Sequence, residues 1–160
     1  MTCGTIILIP YGLDSDGNLT SYRAPDQNTL LKWEKYGLVI TRNEDDKPLT
    51  FFLNWTCSEM DSWLHGLFPE AFFYLADQHR ELHGDAVDDL SHDELMWRLL
   101  EKKNTKVTLA NKDRPDASTF VKLRTGKGKR WYEQAIFLGK KNEKTKRYVL
   151  ITSTLPSCEV

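Results

Sequence analysis

The chain has little cysteine and no two cysteines close together. Cys3, Cys57 and Cys158 are an odd number spread over 160 residues, with no CxxC spacing. That pattern excludes a disulfide framework and points to reduced thiols. Long apolar runs are also missing: nothing approaches the roughly 20 apolar residues of a membrane helix. The apolar run from Thr5 to Leu13 is short, contains Pro10 and Gly12, and has no basic residue before it, so it does not read as a signal peptide. The expectation is an intracellular protein, cytoplasmic or nuclear, with no membrane partner. There is no repeat, low-complexity tract or convincing interdomain linker.

Catalytic signatures are equally scarce. No GxSxG elbow marks an acyl-transfer nucleophile. The sequence His79-Arg-Glu-Leu-His83 puts its glutamate one position too late for HExxH, and Thr125-Gly-Lys-Gly-Lys129 lacks the GxxxxGK[ST] order of a phosphate loop. Asp14-Ser-Asp-Gly-Asn18 has its glycine too early and no closing glutamate for a calcium loop, so it reads as a turn. No cofactor is expected.

Composition places what remains. With 40% hydrophobic and 28% charged residues, 1–160 fits one globular domain. The net charge of −1 hides a strong asymmetry. Residues 1–100 carry 7 Lys+Arg and 17 Asp+Glu, whereas residues 101–160 carry 15 and 6. An acidic α/β part, about 1–100, is thus expected to pack against a basic β-rich part, about 101–156. The asymmetry bears on partners more than on fold.

Periodicity and punctuation predict an α+β fold, a mixed or antiparallel sheet with three to four helices packed on one face. Thr5 to Pro10 is a β-branched run suited to a buried strand, and Leu19 to Arg23 reads as its hairpin return. Asp26 or Asn28 can cap a helix with Leu30, Leu31 and Trp33 as its buried stripe and Gly37 as its stop. Leu38 to Thr41 and Leu49 to Trp55 read as strands. Leu49 to His83 concentrates two of five tryptophans, five of seven phenylalanines and three of four histidines, and reads as the core. Within it Ser58 and Asp61 suggest a helix start near Glu59, carrying Met60, Trp63, Leu64 and Leu67. Gly66 reads as a break. Pro69 opens a second helix that buries Phe72, Phe73, Leu75 and Leu82 and stops at Gly84.

Ser91-His-Asp-Glu94 has the spacing of a capping box and predicts a helix through Leu95, Met96, Leu99 and Leu100, ending at Lys102-Lys103-Asn104. Lys106 to Ala110, Thr119 to Arg124, Arg130 to Leu138 and Arg147 to Ser153 read as strands, with a hairpin turn at Gly126-Lys-Gly128. The order strand, strand, helix, strand, strand, helix over residues 5–83 resembles that of a β-grasp or PB1-like module. It is an analogy of element order that carries no function.

Two groups of residues could carry chemistry. His79 and His83 share a helix face and, with Cys57 and His65, form the most metal-like or enzyme-like grouping; Cys57, a histidine and Asp61 would make a nucleophile arrangement. A solvated histidine face and an inert apolar thiol account for these residues more simply. The second group is basic. Lys122, Arg124, Lys127, Lys129 and Arg130 crowd the arms and tip of the expected hairpin, beside Trp131 and Tyr132. Lys140, Lys141, Lys144, Lys146 and Arg147 fill the next loop. If both loops lie at one end of the sheet they form one patch, fit for an acidic protein surface, self-association or nucleic acid. The competing account makes Trp131 core and the lysines mere solubilising residues. A sequence pI near 6.4 is also low for a nucleic-acid module. The favoured expectation is a non-catalytic binding module using this basic surface.

Overall fold

The computed structural model describes residues 1–10, 23–83 and 95–140, without the side chains of 78–83 and 140. Its centre is the β-branched run expected as a buried strand. After a two-residue strand β1 (Thr2–Cys3), β2 (Thr5–Ile9) lies inside a five-stranded sheet. On one side it pairs in parallel with β7 (Ala135–Lys140), Ile7 opposite Phe137; on the other it pairs antiparallel with β3 (Val39–Ile40). Both sides of β2 are therefore paired; of the hairpin return expected over Leu19 to Arg23, only Arg23 lies among the described residues. Arg23 instead bridges Lys106 on the far edge of the sheet; residues 11–22, including the Asp14–Asn18 turn, lie outside the described residues.

The sheet continues from β7 to β5 (Trp97–Lys103) and then to β6 (Lys106–Leu109), both pairings antiparallel. The order is β3-β2-β7-β5-β6, a mixed sheet. The β2–β7 pairing joins the acidic N-terminal and basic C-terminal parts of the chain in one sheet. The β-grasp likeness stops at element order, because β1 pairs with β4 (Leu49–Thr50) in a separate two-stranded sheet.

Helices cover both faces, not one. On the first face Ile6, Leu8, Trp97, Leu99, Ile136 and Leu138 meet α2 (Cys57–Leu67), α3 (Pro69–His83) and α4 (Ala117–Leu123) in the larger core. On the second, Ile7, Ile9, Leu100, Val107 and Phe137 pack under Trp33 of α1 (Gln27–Lys35). Helix α1 begins as expected: Asp26 Oδ1 accepts from Thr29 N at 2.8 Å. It ends with Leu38 N donating to Trp33 O and Gly37 N to Glu34 O, a paired closure that needs the left-handed backbone of Gly37, φ 73°. Leu31 is not in its buried stripe but 51% exposed.

Several local expectations differ from the structure. The helix after Ser91 is strand β5: two-sided burial demands apolar side chains on successive positions, which a helical pattern imitates. Trp97 and Leu99 enter one core and Leu100 the other, and the pairing partners β6 and β7 come later in the chain. The Ser91–Glu94 box itself lies outside the described residues. Thr119 to Arg124 is not a strand but falls on helix α4 and its cap, because Asp116 Oδ1 accepts from Thr119 N and Oγ1, and Ala117 and Phe120, three apart, are both fully buried. Helix α2 starts earlier than Ser58 suggested, on the reciprocal box Thr56/Glu59: Thr56 N donates to Glu59 Oε2 at 2.7 Å, and Glu59 N to Thr56 Oγ1. Gly66 stays inside α2, while Pro69 opens α3 as expected. In α3 Phe72 and Leu75 are buried but Phe73 is 70% exposed. The strand expected over Leu49 to Trp55 shortens to β4.

Candidate functional site

The basic residues do not sit on a two-armed hairpin. Their first arm is the end of α4, and the second begins with a 3-10 turn, Trp131–Glu133, that leads into β7. What holds the intervening loop is a chain of backbone-directed hydrogen bonds. Thr125 N donates to Ala135 O at 2.8 Å and closes the loop at its base. Lys129 N donates to Gly126 O at 3.0 Å, with Gly126 and Gly128 both at positive φ (72° and 82°). A Cβ on Gly126 would also stand 2.9 Å from Glu133 O. Gln134, buried, accepts from Arg124 Nε at 2.9 Å and donates from Nε2 to Lys129 O at 3.1 Å. Arg124 also donates to Val121 O. Its guanidinium is thus committed to the scaffold, whereas Lys122, Lys127 and Lys129 make no ion pair among the described residues.

This loop borders an open cleft of about 670 Å³. Lys122, Arg124, Lys127 and Lys129 line it, and so do Lys102 near the end of β5 and Asn104 in the β5–β6 turn. Sequence reasoning missed the last two because it placed them at the end of a helix. The hairpin register brings them here: β5 runs antiparallel to β7, so its C-terminal end lies beside the N-terminal end of β7. Two carboxylates share the cleft, and each has a partner. Glu101 lies 3.7 Å from Lys103 Nζ, and Glu133 Oε2 accepts from Arg130 N at 3.2 Å. Among the described residues Lys122, Lys127 and Lys129 make no ion pair.

The aromatic neighbours are outside the core. Trp131 is 41% and Tyr132 51% exposed, their rings edge to face with centroids 5.7 Å apart. The account that made Trp131 a core residue is overturned. Arg130 Nη1 donates to Tyr132 Oη at 2.7 Å, and its guanidinium lies 5.9 Å from the Tyr132 ring centre. Gly4 sets the position of the pair. A Cβ there would stand 2.6 Å from Tyr132 O and 2.7 Å from Trp131 O, so the 3-10 turn rests on bare backbone.

The second basic loop does not join this patch through its described residue. Lys140 lies at the opposite end of β7, five residues and about 17 Å along the strand from Ala135. The side chain of Lys140, and Lys141, Lys144, Lys146 and Arg147, lie outside the described residues.

Within the Cys57 grouping, Cys57 and His65 stand apart. Cys57 is the first residue of α2 and His65 lies eight residues on, about 12 Å along the axis. Burial, opposed by Arg114, raises the Cys57 thiol above its ordinary range, so it is not a ready thiolate. Burial likewise pushes Cys3 up to about 11. His65 has its own neighbours: Nε2 lies 3.3 Å from Asp61 Oδ1, and its ring stacks on Phe72 at 4.3 Å. Asp61 in turn accepts from the indole N–H of buried Trp97 at 2.7 Å. Partial burial works against its charge, but the His65 and Trp97 hydrogen bonds outweigh that and hold Asp61 below the usual carboxylate range. His79 and His83 fall on α3, in its last part, 78–83, whose side chains lie outside the described residues. No group of three or more His, Cys, Asp or Glu side chains fit to hold a metal occurs among the described residues.

No family model matches this chain, and no curated protein or solved structure does. Among the described residues no helix is long and apolar enough to cross a membrane. The functional reading therefore rests on geometry alone.

Proposed function

We propose that this is a non-catalytic, single-domain binding module. Its basic face, from Lys122 through Tyr132 with Lys102 beside it, contacts an acidic partner. The observation that carries this reading is the contrast within one loop. Its backbone is fixed by paired hydrogen bonds at both ends, while Lys122, Lys127 and Lys129 form no ion pair among the described residues, although Glu101 and Glu133 line the same cleft. A fixed frame lowers the ordering cost of association, and unpaired cations around a cleft supply electrostatic complementarity. Cys3 and Cys57 are free and buried, which accords with a reducing, intracellular setting.

The test is retention on immobilised heparin and binding to polyglutamate, compared for the native protein and for K127Q/K129Q. The native protein is expected to bind at least one of the two polyanions and to elute earlier as salt rises; the variant is expected to elute earlier still. Absence of binding to both polyanions at low salt defeats the reading, and so does a variant indistinguishable from the native protein.

A further inference from the structure

We infer that the acidic partner is a single-stranded nucleic acid. Its phosphates lie over the cleft lysines, and an unpaired base stacks at the Trp131–Tyr132 pair. This rests on the binding-module reading and goes one step beyond it, from charge to ligand class.

The argument starts from the two aromatics. An acidic polypeptide calls for cations, and the lysines satisfy it without help. It gives no reason for a tryptophan 41% exposed and a tyrosine 51% exposed to stand among those cations. A nucleotide needs both, because its phosphate seeks a cation and its unpaired base seeks a π-face. The edge-to-face arrangement of the pair, 85° between planes, leaves at least one ring with both faces clear of the other. Arg130 adds a guanidinium against the Tyr132 ring.

Spacing supports the same ligand. Lys129 lines the cleft and Trp131 follows two positions later, so their Cα atoms are within about 7.6 Å. Phosphate contact and stacking surface thus lie within reach of neighbouring groups on one strand. Gly4 under the 3-10 turn and Gln134 under the loop fix that spacing before any ligand arrives.

A duplex fits less well. Its bases are already stacked and paired, so the exposed aromatics would gain nothing, and duplex recognition works through groove-filling elements. No base edge is read by the groups described, so tolerance of sequence is expected. With three free lysines, the logarithm of affinity should fall with the logarithm of salt at a slope of about −2.

The experiment measures fluorescence anisotropy of labelled single-stranded oligothymidylate and oligouridylate, with a hairpin duplex, heparin and polyglutamate as competitors. The native protein should bind both single strands, prefer them to the duplex, and lose affinity with salt at about the stated slope. W131A should weaken single-strand binding by roughly 5- to 150-fold, and W131F should recover most of the loss. K127Q should lower the salt slope by about 0.7. Circular dichroism and thermal melting establish that each variant is folded. If polyanions bind but the duplex competes as well as the single strand, polyglutamate competes better, or W131A binds as the native protein does, the inference is overturned while the binding-module reading stands. If neither heparin, polyglutamate nor oligonucleotide binds, both fall together.

Discussion

In the layer formed by α2, α3 and α4, side chains hold one another. Trp97 packs edge to face on Phe120, its N–H donates to Asp61, Asp61 lies beside His65, and His65 stacks on Phe72. In the segment from Arg124 to Gln134 the backbone is what is held, and most long side chains are left to solvent. The first region converts its aromatics and histidine into stability. The second keeps cations and two aromatics unspent on a fixed frame. Leu49 to His83 is richer in residues that could do chemistry, yet the poorer segment is better arranged to meet another molecule.

The largest expected effect tests the first half of that comparison. Trp97 is fully buried, and Trp97→Ala removes its contact with Phe120 and opens a cavity under α4. The expected loss is about 3–5 kcal/mol in urea unfolding, enough to threaten folding outright. A loss below about 1 kcal/mol would mean that this layer is not the principal core.

Gly4 joins the two regions, since β1 and β2 flank it and the 3-10 turn lies on it. Gly4→Ala drives a Cβ against two carbonyl oxygens that belong to backbone and cannot rotate away. The expected cost is about 3 kcal/mol, the upper end for inserting a methyl into packed structure. The emission of Trp131 should change with it, read as the difference between G4A and G4A/W131F spectra. An unchanged difference spectrum would show that the aromatic pair is not seated on Gly4.

Next in size is Asp61. Asp61→Ala leaves the buried indole N–H of Trp97 without its acceptor, at an expected cost of about 2 kcal/mol. The pH dependence has a definite sign. Asp61 has its folded pKa depressed, so its contribution is fully present above the unfolded value of about 4 and is lost as pH falls through the folded pKa. The native protein and D61A should therefore converge in stability toward strongly acidic pH. A constant gap between them from neutral to acidic pH would remove the charge from the account.

These elements also show how far the sequence could be read. Asp26, Gly37 and Pro69 act through their own backbone neighbourhoods, and their roles were visible from local spacing. Trp97 to Leu100 were not, because their apolar succession is set by two cores and by strands paired from elsewhere in the chain. Helix α4 hid behind β-branched Thr119 and Val121, although Asp116 three positions before Thr119 was the available signal. The basic cluster was legible as composition, but not its neighbours. Lys102 and Asn104 enter the cleft only through the β5–β7 register, and the aromatic pair is placed by a glycine more than 120 residues away.

The smallest expected effect on stability tests the second half of the comparison. If Lys122, Lys127 and Lys129 are free of structural duty, K122Q/K127Q/K129Q should alter unfolding free energy by no more than about 0.5 kcal/mol. The loop's own bonds survive the change, since Lys129 contributes its main-chain N–H and carbonyl to Gly126 and Gln134 and these do not depend on its ammonium. Relief of repulsion among like charges could even make the variant slightly more stable, most visibly at low salt where screening is weakest. A loss above about 1 kcal/mol would show that the ammonium groups hold the loop together. The contrast between a spent core and an unspent basic face would then collapse, whatever the binding assays report.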